Sequence, residues 1–281
     1  MRPTIGVFDS GFGGLTVLKA LLEVIPDAKY LYFGDTARLP YGSKSVETVA
    51  RYACEAARFL EQQGSEMLVI ACNTATALAL DQIQHTASVK VLGVVEPGAQ
   101  RALAESKNRK VVVIGTDATV SSHAYHRALS AHGLEAHEKA CPLLVPLVEE
   151  GWVDHPVTEQ VARIYLDEAF TDGFRSADVL LLGCTHYPLL KPLLHRVVPN
   201  HVKLVDSAEA MALAVLNLTV SGTPDVRFGQ TAEVQSRTVT GSLSTSRVKF
   251  FVTDSVEKFR RFGTLFLGQK ISEITHVDLK E

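Results

Sequence analysis

Two of the four cysteines stand where a thiol could exchange protons with a substrate. Cys72 and Cys184 each follow an apolar run that predicts a buried strand, and each precedes polar residues and a predicted helix. A helix N-terminus lowers the pKa of a thiol from its usual value near ~8.5, so we expect thiolate to be accessible at both positions near neutral pH. Cys54, in an Ala-rich helix, and Cys141, before a proline, are expected to be buried and inert.

The surroundings of Cys72 and Cys184 repeat each other. Residues 69–74 are Val-Ile-Ala-Cys-Asn-Thr and residues 181–186 are Leu-Leu-Gly-Cys-Thr-His. Cysteines at matching positions of two similar units could face each other across a cleft, each handling a proton on one face of the same carbon. Two other interpretations stay open: a single cysteine nucleophile with His186 as its base, and a protein that captures a small anion without chemistry.

Other polar clusters also follow predicted strands, at 9–11, 34–36 and 115–117. Ligands of open parallel sheets bind outside the carboxyl ends of the strands. Helix N-termini at those ends offer free backbone N–H groups to a carboxylate or phosphate. These clusters therefore predict a small anionic ligand held between two domains.

The glycine-rich segment 9–14, Asp-Ser-Gly-Phe-Gly-Gly, lacks the Gly-Lys-Ser/Thr ending of a P-loop and the spacing of a dinucleotide-binding fingerprint. A tight turn from strand to helix is therefore favoured over nucleotide binding, with glycines that serve positive φ or close packing. Asp9, at the end of the strand, is either a helix cap or a functional carboxylate.

Strands and helices alternate along the chain. Apolar and β-branched runs predict strands at 5–8, 30–33, 67–71, 89–95, 111–114, 179–182, 202–205 and 249–252. Helical periodicity and capping signals predict helices that include 45–63, 121–133, 157–170 and 189–197. This alternation predicts an α/β fold with parallel sheets flanked by helices.

The internal repeat predicts two similar domains. We expect residues 98–206 to form the second domain and residues 1–97 plus 207–281 the first, because the strand at 249–252 still needs a sheet. Ser, Thr and Gly are frequent between 221 and 246, which predicts a loop or hairpin there.

Composition and charge exclude several classes of protein. The formal net charge is −3, and the cluster Lys258-Phe259-Arg260-Arg261 is interpreted as a solvated helix face, so no nucleic-acid partner is expected. The longest apolar tracts fall short of the ~20 residues that span a bilayer, and the N-terminus does not resemble a signal peptide. We therefore expect a cytoplasmic protein without a membrane partner. The four cysteines form no Cys-x-x-Cys pair, so neither a metal site nor a disulfide is expected.

Six motifs together resemble glutamate racemase. In chain order they are Asp-Ser-Gly-x-Gly-Gly at 9–14, Gly-Asp-x-x-x-x-Pro-Tyr-Gly at 34–42, Cys-Asn-Thr-Ala at 72–75, Pro-Leu-Val-Glu at 146–149, Gly-Cys-Thr-His-Tyr-Pro at 183–188 and Phe-x-Val-Thr-Asp at 250–254. Each motif alone is weak, but the set follows the family's order over nearly the whole chain. The resemblance implies two pseudo-symmetric, doubly wound α/β domains with the active site at their interface.

The resemblance also implies an activity. Glutamate racemases interconvert L- and D-glutamate without pyridoxal phosphate or another cofactor, and they supply D-glutamate for peptidoglycan. The nearest alternative is a sister racemase that acts on aspartate or a related acid with the same paired cysteines. The sequence leaves the oligomeric state open, a homodimer being one alternative.

Site residues follow from the resemblance by motif. Cys72 and Cys184 match the two acid/base residues, with Cys184 deprotonating L-glutamate and Cys72 D-glutamate. Asp9 matches the carboxylate beside the first cysteine, and Glu149 and His186 match the groups that assist the second. Glu150 is the alternative to Glu149, which is preferred because it follows Pro-Leu-Val. The substrate-holding positions match Asp9, Ser10, Tyr41, Gly42, Asn73, Thr74, Thr185 and His186.

Overall fold

The computed structural model describes residues 3–171, 173–221, 245, 247–271 and 273–279, and their strands form two sheets. The strands are β1 (Thr4–Asp9), β2 (Lys29–Gly34), β3 (Met67–Ile70), β4 (Lys90–Gly93), β5 (Lys110–Gly115), β6 (Glu135–Ala140), β7 (Val179–Gly183), β8 (Lys203–Asp206), β9 (Val248–Val252) and β10 (Ile274–His276). One sheet has the order β10-β9-β2-β1-β3-β4 and the other β6-β5-β7-β8. Neighbouring strands pair in parallel in both. The predicted α/β fold with two parallel sheets is confirmed.

The second sheet repeats the order of four strands in the first. β1 lies between β2 and β3 with β4 outside, and β5 lies between β6 and β7 with β8 outside. In each sheet the connections leave the central strand in opposite directions, which opens a crevice at the carboxyl ends of the strands. Cys72 follows β3 and Cys184 follows β7, so the two cysteines come after equivalent strands.

Helices cover the sheets. They are α1 (Leu15–Val24), α2 (Val46–Gln62), α3 (Asn73–Thr86), α4 (Val95–Glu105), α5 (Asp117–Ser121), α6 (Ala124–Ala131), α7 (Leu144–Glu149), α8 (Pro156–Ala169), α9 (Lys191–Val197), α10 (Ser207–Ser221) and α11 (Val256–Leu267). The Ser45 side chain accepts a hydrogen bond from the Thr48 amide and caps α2, as the sequence predicted.

The central strands are apolar because helices bury both of their faces. All five residues of β7, Val-Leu-Leu-Leu-Gly, are buried, and Ile5, Val7 and Phe8 of β1 have no exposed surface. β6 is an edge strand with the sequence Glu-Ala-His-Glu-Lys-Ala and has no fully buried residue. A charged edge strand has no apolar signal, so the sequence did not predict β6.

The distribution of strands supports the proposed division into domains of residues 1–97 plus 207–281 and residues 98–206. β9 pairs with β2 of the first sheet, which gives the strand predicted at 249–252 its partner. α10 packs against both α1 and α4, so it lies across the junction of the two sheets.

Two element predictions were wrong. The helix predicted over 121–133 is two helices, because His123 has a left-handed φ of 54° between α5 and α6. The strand predicted over 89–95 ends at Gly93, and Val95 already begins α4. An apolar run does not distinguish a strand end from the buried first turn of a helix.

The loop or hairpin predicted between 221 and 246 lies almost entirely outside the described residues. Among the helices that the structure describes, none is both long and apolar enough to cross a membrane.

Candidate active site

A cavity of about 330 Å³ lies where the carboxyl ends of the two sheets meet. Of the predicted site residues, those that line it are Ser10, Tyr41, Gly42, Cys72, Asn73, Thr74, Glu149, Cys184, Thr185 and His186. Asp9 does not line the cavity and is buried beside it. Both cysteines therefore open into one space, from different sheets.

Cys72 is a buried thiol at the N-terminus of α3. Its sulfur accepts a hydrogen bond from the Ala75 amide at 3.4 Å and donates to Ser10 Oγ at 3.4 Å. Burial and the negative charge of Asp9 outweigh these contacts and raise the pKa of Cys72 to about 12. The thiol form of Cys72 is therefore favoured, contrary to the expectation of an accessible thiolate near neutral pH.

Asp9 ends β1 beneath the glycine-rich turn. Its Oδ2 accepts a hydrogen bond from the Gly11 amide at 2.9 Å. Burial raises the pKa of Asp9, while the backbone amides of Gly14 and Gly11 and the positive charge of His186 act in the opposite direction. Gly14, not Asp9, occupies the N-cap position of α1, so the capping interpretation of Asp9 does not apply to that helix.

Cys184 differs from Cys72 in its local structure. The residues after it form a 3₁₀ turn over Tyr187–Leu190, and α9 begins only at Lys191. The prediction that Cys184 stands at the start of a helix is therefore wrong. Its polar partner is a side chain, since Nδ1 of His186 lies 3.9 Å from the Cys184 sulfur.

His186 joins Cys184 to Glu149. Its Nε2 lies 3.3 Å from Oε1 of Glu149. Burial by itself lowers the pKa of His186, but the hydrogen bonds and negative charges of Cys184 and Glu149 outweigh burial and raise it to about 10. A protonated imidazole stabilises negative charge on an adjacent sulfur. The Cys184 sulfur therefore has a cationic neighbour, whereas the Cys72 side favours the thiol form.

Glu149 is the carboxylate in contact with His186. Burial raises the pKa of Glu149, but the hydrogen bond and charge of His186 and the charge of Lys258 more than offset this, so the pKa lies below its usual value. Glu150 also lines the cavity, is exposed, and does not hydrogen-bond to His186 among the described contacts. This geometry supports Glu149 over Glu150.

Tyr41 and Gly42 lie in a 3₁₀ turn at the rim. The Tyr41 hydroxyl donates to Oδ2 of Asp35 at 2.5 Å, and burial and the Asp35 charge raise the pKa of Tyr41 far above its usual range. A Cβ on Gly42 would lie 2.9 Å from Cβ of Thr116, so glycine lets this turn approach the second sheet. The Tyr41 hydroxyl therefore serves the scaffold.

Asn73 and Thr74, at the start of α3, hydrogen-bond to side chains at the junction of the two domains. The Asn73 Oδ1 accepts from the Tyr125 hydroxyl at 2.6 Å, and its Nδ2 donates to Ser207 Oγ at 3.3 Å. The Thr74 hydroxyl lies 3.0 Å from that of Thr116. Both side chains are consequently held in fixed orientations at the junction.

Comparison with known proteins agrees with this arrangement. A family model described as Asp/Glu/Hydantoin racemase matches residues 7–215. A glutamate racemase of Koribacter versatilis is 58% identical over 99% of this chain and 98% of that protein. A crystal structure of a Francisella tularensis glutamate racemase in complex with D-glutamate has a TM-score of 0.84 and 34% identity, over 99% of this chain and 98% of that one. For a Thermus thermophilus glutamate racemase the TM-score is 0.81 and the identity 44% over the same shares.

The chain belongs to the glutamate racemase family. The family's glycine-rich motif has a steric role here. A Cβ on Gly14 would lie 2.4 Å from Cβ of Asp9, and one on Gly13 would lie 2.2 Å from Oγ1 of Thr185. None of the glycines in 9–14 has positive φ, so close packing explains them, within the first domain at Gly14 and against the second domain at Gly13.

Several residues of this racemase site were not predicted. Thr116 lines the cavity; the polar cluster 115–117 was expected near the ligand, but Thr116 was not named as a site residue. Lys258 was interpreted as part of a solvated helix face, yet its Nζ lies 3.4 Å from Oε2 of Glu149, and Phe259 beside it is fully buried. The apolar wall formed by Phe12, Leu39 and Val145 gave no polar pattern to detect.

Proposed function

We propose that this chain interconverts L- and D-glutamate by a two-base mechanism with Cys72 and Cys184, and so supplies D-glutamate for peptidoglycan. The observation that carries the proposal is the pair of cysteines at equivalent strand ends of two sheets, open to one cavity. Each sulfur has a polar partner of its own, Ser10 for Cys72 and His186 for Cys184. Relatives up to 58% identical over nearly the whole chain are named glutamate racemase, which supports glutamate as the substrate.

In this mechanism one thiolate takes the α-proton of glutamate as the Cα–H bond breaks, and its electron pair stays on the substrate. The thiol on the opposite side then delivers its proton to the other face of the same carbon. The contacts suit Cys184 as the base and Cys72 as the acid in this direction, because the His186 imidazolium lies beside one sulfur and burial favours the thiol form of the other. The reverse direction needs Cys72 as the thiolate and Cys184 as the thiol. One turnover in the forward direction leaves the two sulfurs in those states.

The remaining site residues would hold the substrate. Hydroxyls of Ser10, Thr74 and Thr185 and the amide of Asn73 line the cavity and suit the two carboxylates of glutamate. The turn at Tyr41 and Gly42 lines the same cavity. Asp9, buried beside Cys72, and Glu149, beside His186, are the carboxylates proposed to assist the two cysteines.

Exchange of the α-proton in deuterated water tests the proposal with each cysteine changed to serine in turn. The wild-type protein should convert either enantiomer to the racemate with deuterium at Cα. Cys72→Ser and Cys184→Ser should each lose racemisation by at least about a thousandfold, and Cys141→Ala should retain it. Absence of deuterium incorporation by the pure wild-type protein would exclude racemase activity and leave anion capture.

The two alternative activities, a one-cysteine hydrolase and an aspartate racemase, predict different results for the same proteins. A hydrolase that uses only Cys184 and His186 would keep its activity in Cys72→Ala. An aspartate racemase would turn over aspartate much faster than glutamate when the two compete. Either result would replace the proposal.

Location and assembly complete the proposal. We infer action in the cytoplasm, where glutamate is available and thiols stay reduced. A homodimer is the assembly proposed, and light scattering after size-exclusion chromatography measures it directly. A mass of one chain, 30.5 kDa, would contradict it.

A further inference from the structure

The assisting groups of Cys184 also contact the C-terminal helix of the other domain. α11 begins at Val256 and packs on α1 of the first domain, whereas Glu149 ends α7 of the second. From α11, Lys258 Nζ lies 3.4 Å from Oε2 of Glu149. The Phe266 ring of the same helix meets the His186 ring edge-on, with centroids 5.5 Å apart.

The Lys258 ammonium is held over two aromatic rings. Its Nζ lies 5.3 Å from the Phe12 centroid and 5.5 Å from the Phe262 centroid, within the range of a cation–π contact. Phe12 and Phe262 are themselves buried and packed together, with centroids 4.6 Å apart. The two packed rings therefore fix the position of the Lys258 ammonium, although the Lys258 side chain is 41% exposed.

The two carboxylate oxygens of Glu149 contact residues of different domains. Oε1 contacts His186 and Oε2 contacts Lys258, so each oxygen has one cationic partner. A carboxylate fixed at both oxygens cannot rotate away from the imidazole without losing the second contact. The His186 ring in turn stands between Glu149 and the sulfur of Cys184.

We propose that Lys258 is a positioning residue for the Glu149–His186–Cys184 side of the proposed racemase, and that it completes this side only when the two domains lie together. Lys258 acts through Glu149: it holds the carboxylate ionised and aimed at Nε2. The groups facing His186 are Cys184, Glu149 and Asp9, and the charged groups facing Glu149 are His186 and Lys258.

Lys258→Met tests this, with Lys258→Arg as the conservative variant. The Lys258–Glu149 pair is partly exposed, so we expect kcat to fall about fivefold with KM within about twofold. Lys258→Arg should restore most of the loss. The acid limb of the pH–rate profile should move to higher pH in Lys258→Met, since the pKa of Glu149 rises when a neighbouring positive charge is removed.

Primary isotope effects assign the loss to one cysteine. Two enantiomers have equal free energy, so kcat/KM must fall equally in both directions. A weaker Cys184 side makes proton transfer at that sulfur more rate-limiting. The isotope effect should therefore rise for [2-²H]glutamate of the enantiomer that Cys184 deprotonates and decline for the other.

Arg261→Met is the matched control, because its guanidinium also packs on Phe262, at 5.0 Å, while the described ion pairs of Glu149 are with His186 and Lys258. It should leave rate, isotope effects and pH profile unchanged. Equal changes in the two variants, or unaltered isotope effects in a Lys258→Met protein with the wild-type melting temperature, would overturn the proposal. A wild-type protein without racemisation would instead refute the proposed function.

Discussion

Gly13 and His186 approach so closely across the domain junction that only hydrogen fits at Cα of residue 13. A Cβ there would lie 2.6 Å from Nδ1 of His186, the nitrogen that faces the Cys184 sulfur. The imidazole is also held from two other sides, because Glu149 contacts its other nitrogen and the Phe266 ring packs edge-on against it. The glycine-rich turn of the first domain thus sets the position of a group that serves the second cysteine.

Gly13→Ala should therefore lower kcat by about a hundredfold, since displacement of a catalytic group by an ångström is enough for such a loss. Gly98→Ala is the control, because the added Cβ would have no neighbour closer than 3.4 Å, in the Tyr125 ring. Steady-state kinetics and thermal melts of both variants measure the effect. Full activity in Gly13→Ala would show that the contact is not required.

The buried charge of His186 predicts a pH-dependent stability. Its pKa is raised from 6.5 to about 10 in the folded protein, so its stabilising contribution is fully present below about pH 6.5 and is lost as the pH rises through about 10. Urea unfolding at several pH values should show a steeper fall of the free energy of unfolding over this window in wild type than in His186→Gln. Parallel curves for the two proteins would contradict the assignment.

Reactivity toward iodoacetamide should single out Cys184. Burial raises the pKa of both Cys72 and Cys141 to about 12, whereas Cys184 has a cationic imidazole beside it. Peptide mapping after brief labelling near neutral pH should find Cys184 modified first, more slowly in His186→Asn and in the presence of glutamate. Faster labelling of Cys72 than of Cys184 would contradict the proposed roles of the two thiols.

Tyr125→Phe should weaken substrate binding through Asn73. The change removes the hydroxyl that donates to Asn73 Oδ1 and leaves a buried acceptor unpaired, which costs about 1–3 kcal/mol. We expect KM to rise while the protein stays folded.

Tyr30→Phe is the matched control for Tyr125→Phe. It removes a buried hydroxyl that donates to Leu21 and Ile25 carbonyls, away from the cavity. Urea unfolding and KM should show a stability cost in both variants and a KM effect in Tyr125→Phe alone. A raised KM in Tyr30→Phe would mean that general loosening, not Asn73, is responsible.

Much of the fold followed from local patterns. The buried strands were predicted because apolar runs persist where helices cover both sheet faces, and Ser45 signalled its helix directly. The charged strand β6 and the break at His123 were missed, since an edge strand needs no apolar face and a left-handed residue other than glycine has no local signal. Most of the candidate site was named because family motifs surround it, while Lys258 belongs to none of them.

The sequence by itself determined that each of the two cysteines follows a buried strand and precedes polar residues, because chemistry at the end of a strand is encoded in neighbouring residues. Only the tertiary structure decided how alike the two cysteines are. Cys72 lies at a helix N-terminus with Ser10 beside it, and Cys184 has His186, Glu149 and, from the other domain, Lys258. Burial and contacts such as His186–Glu149 and Lys258–Glu149, between residues 37 and 109 positions apart, set these charges, and no local pattern records either.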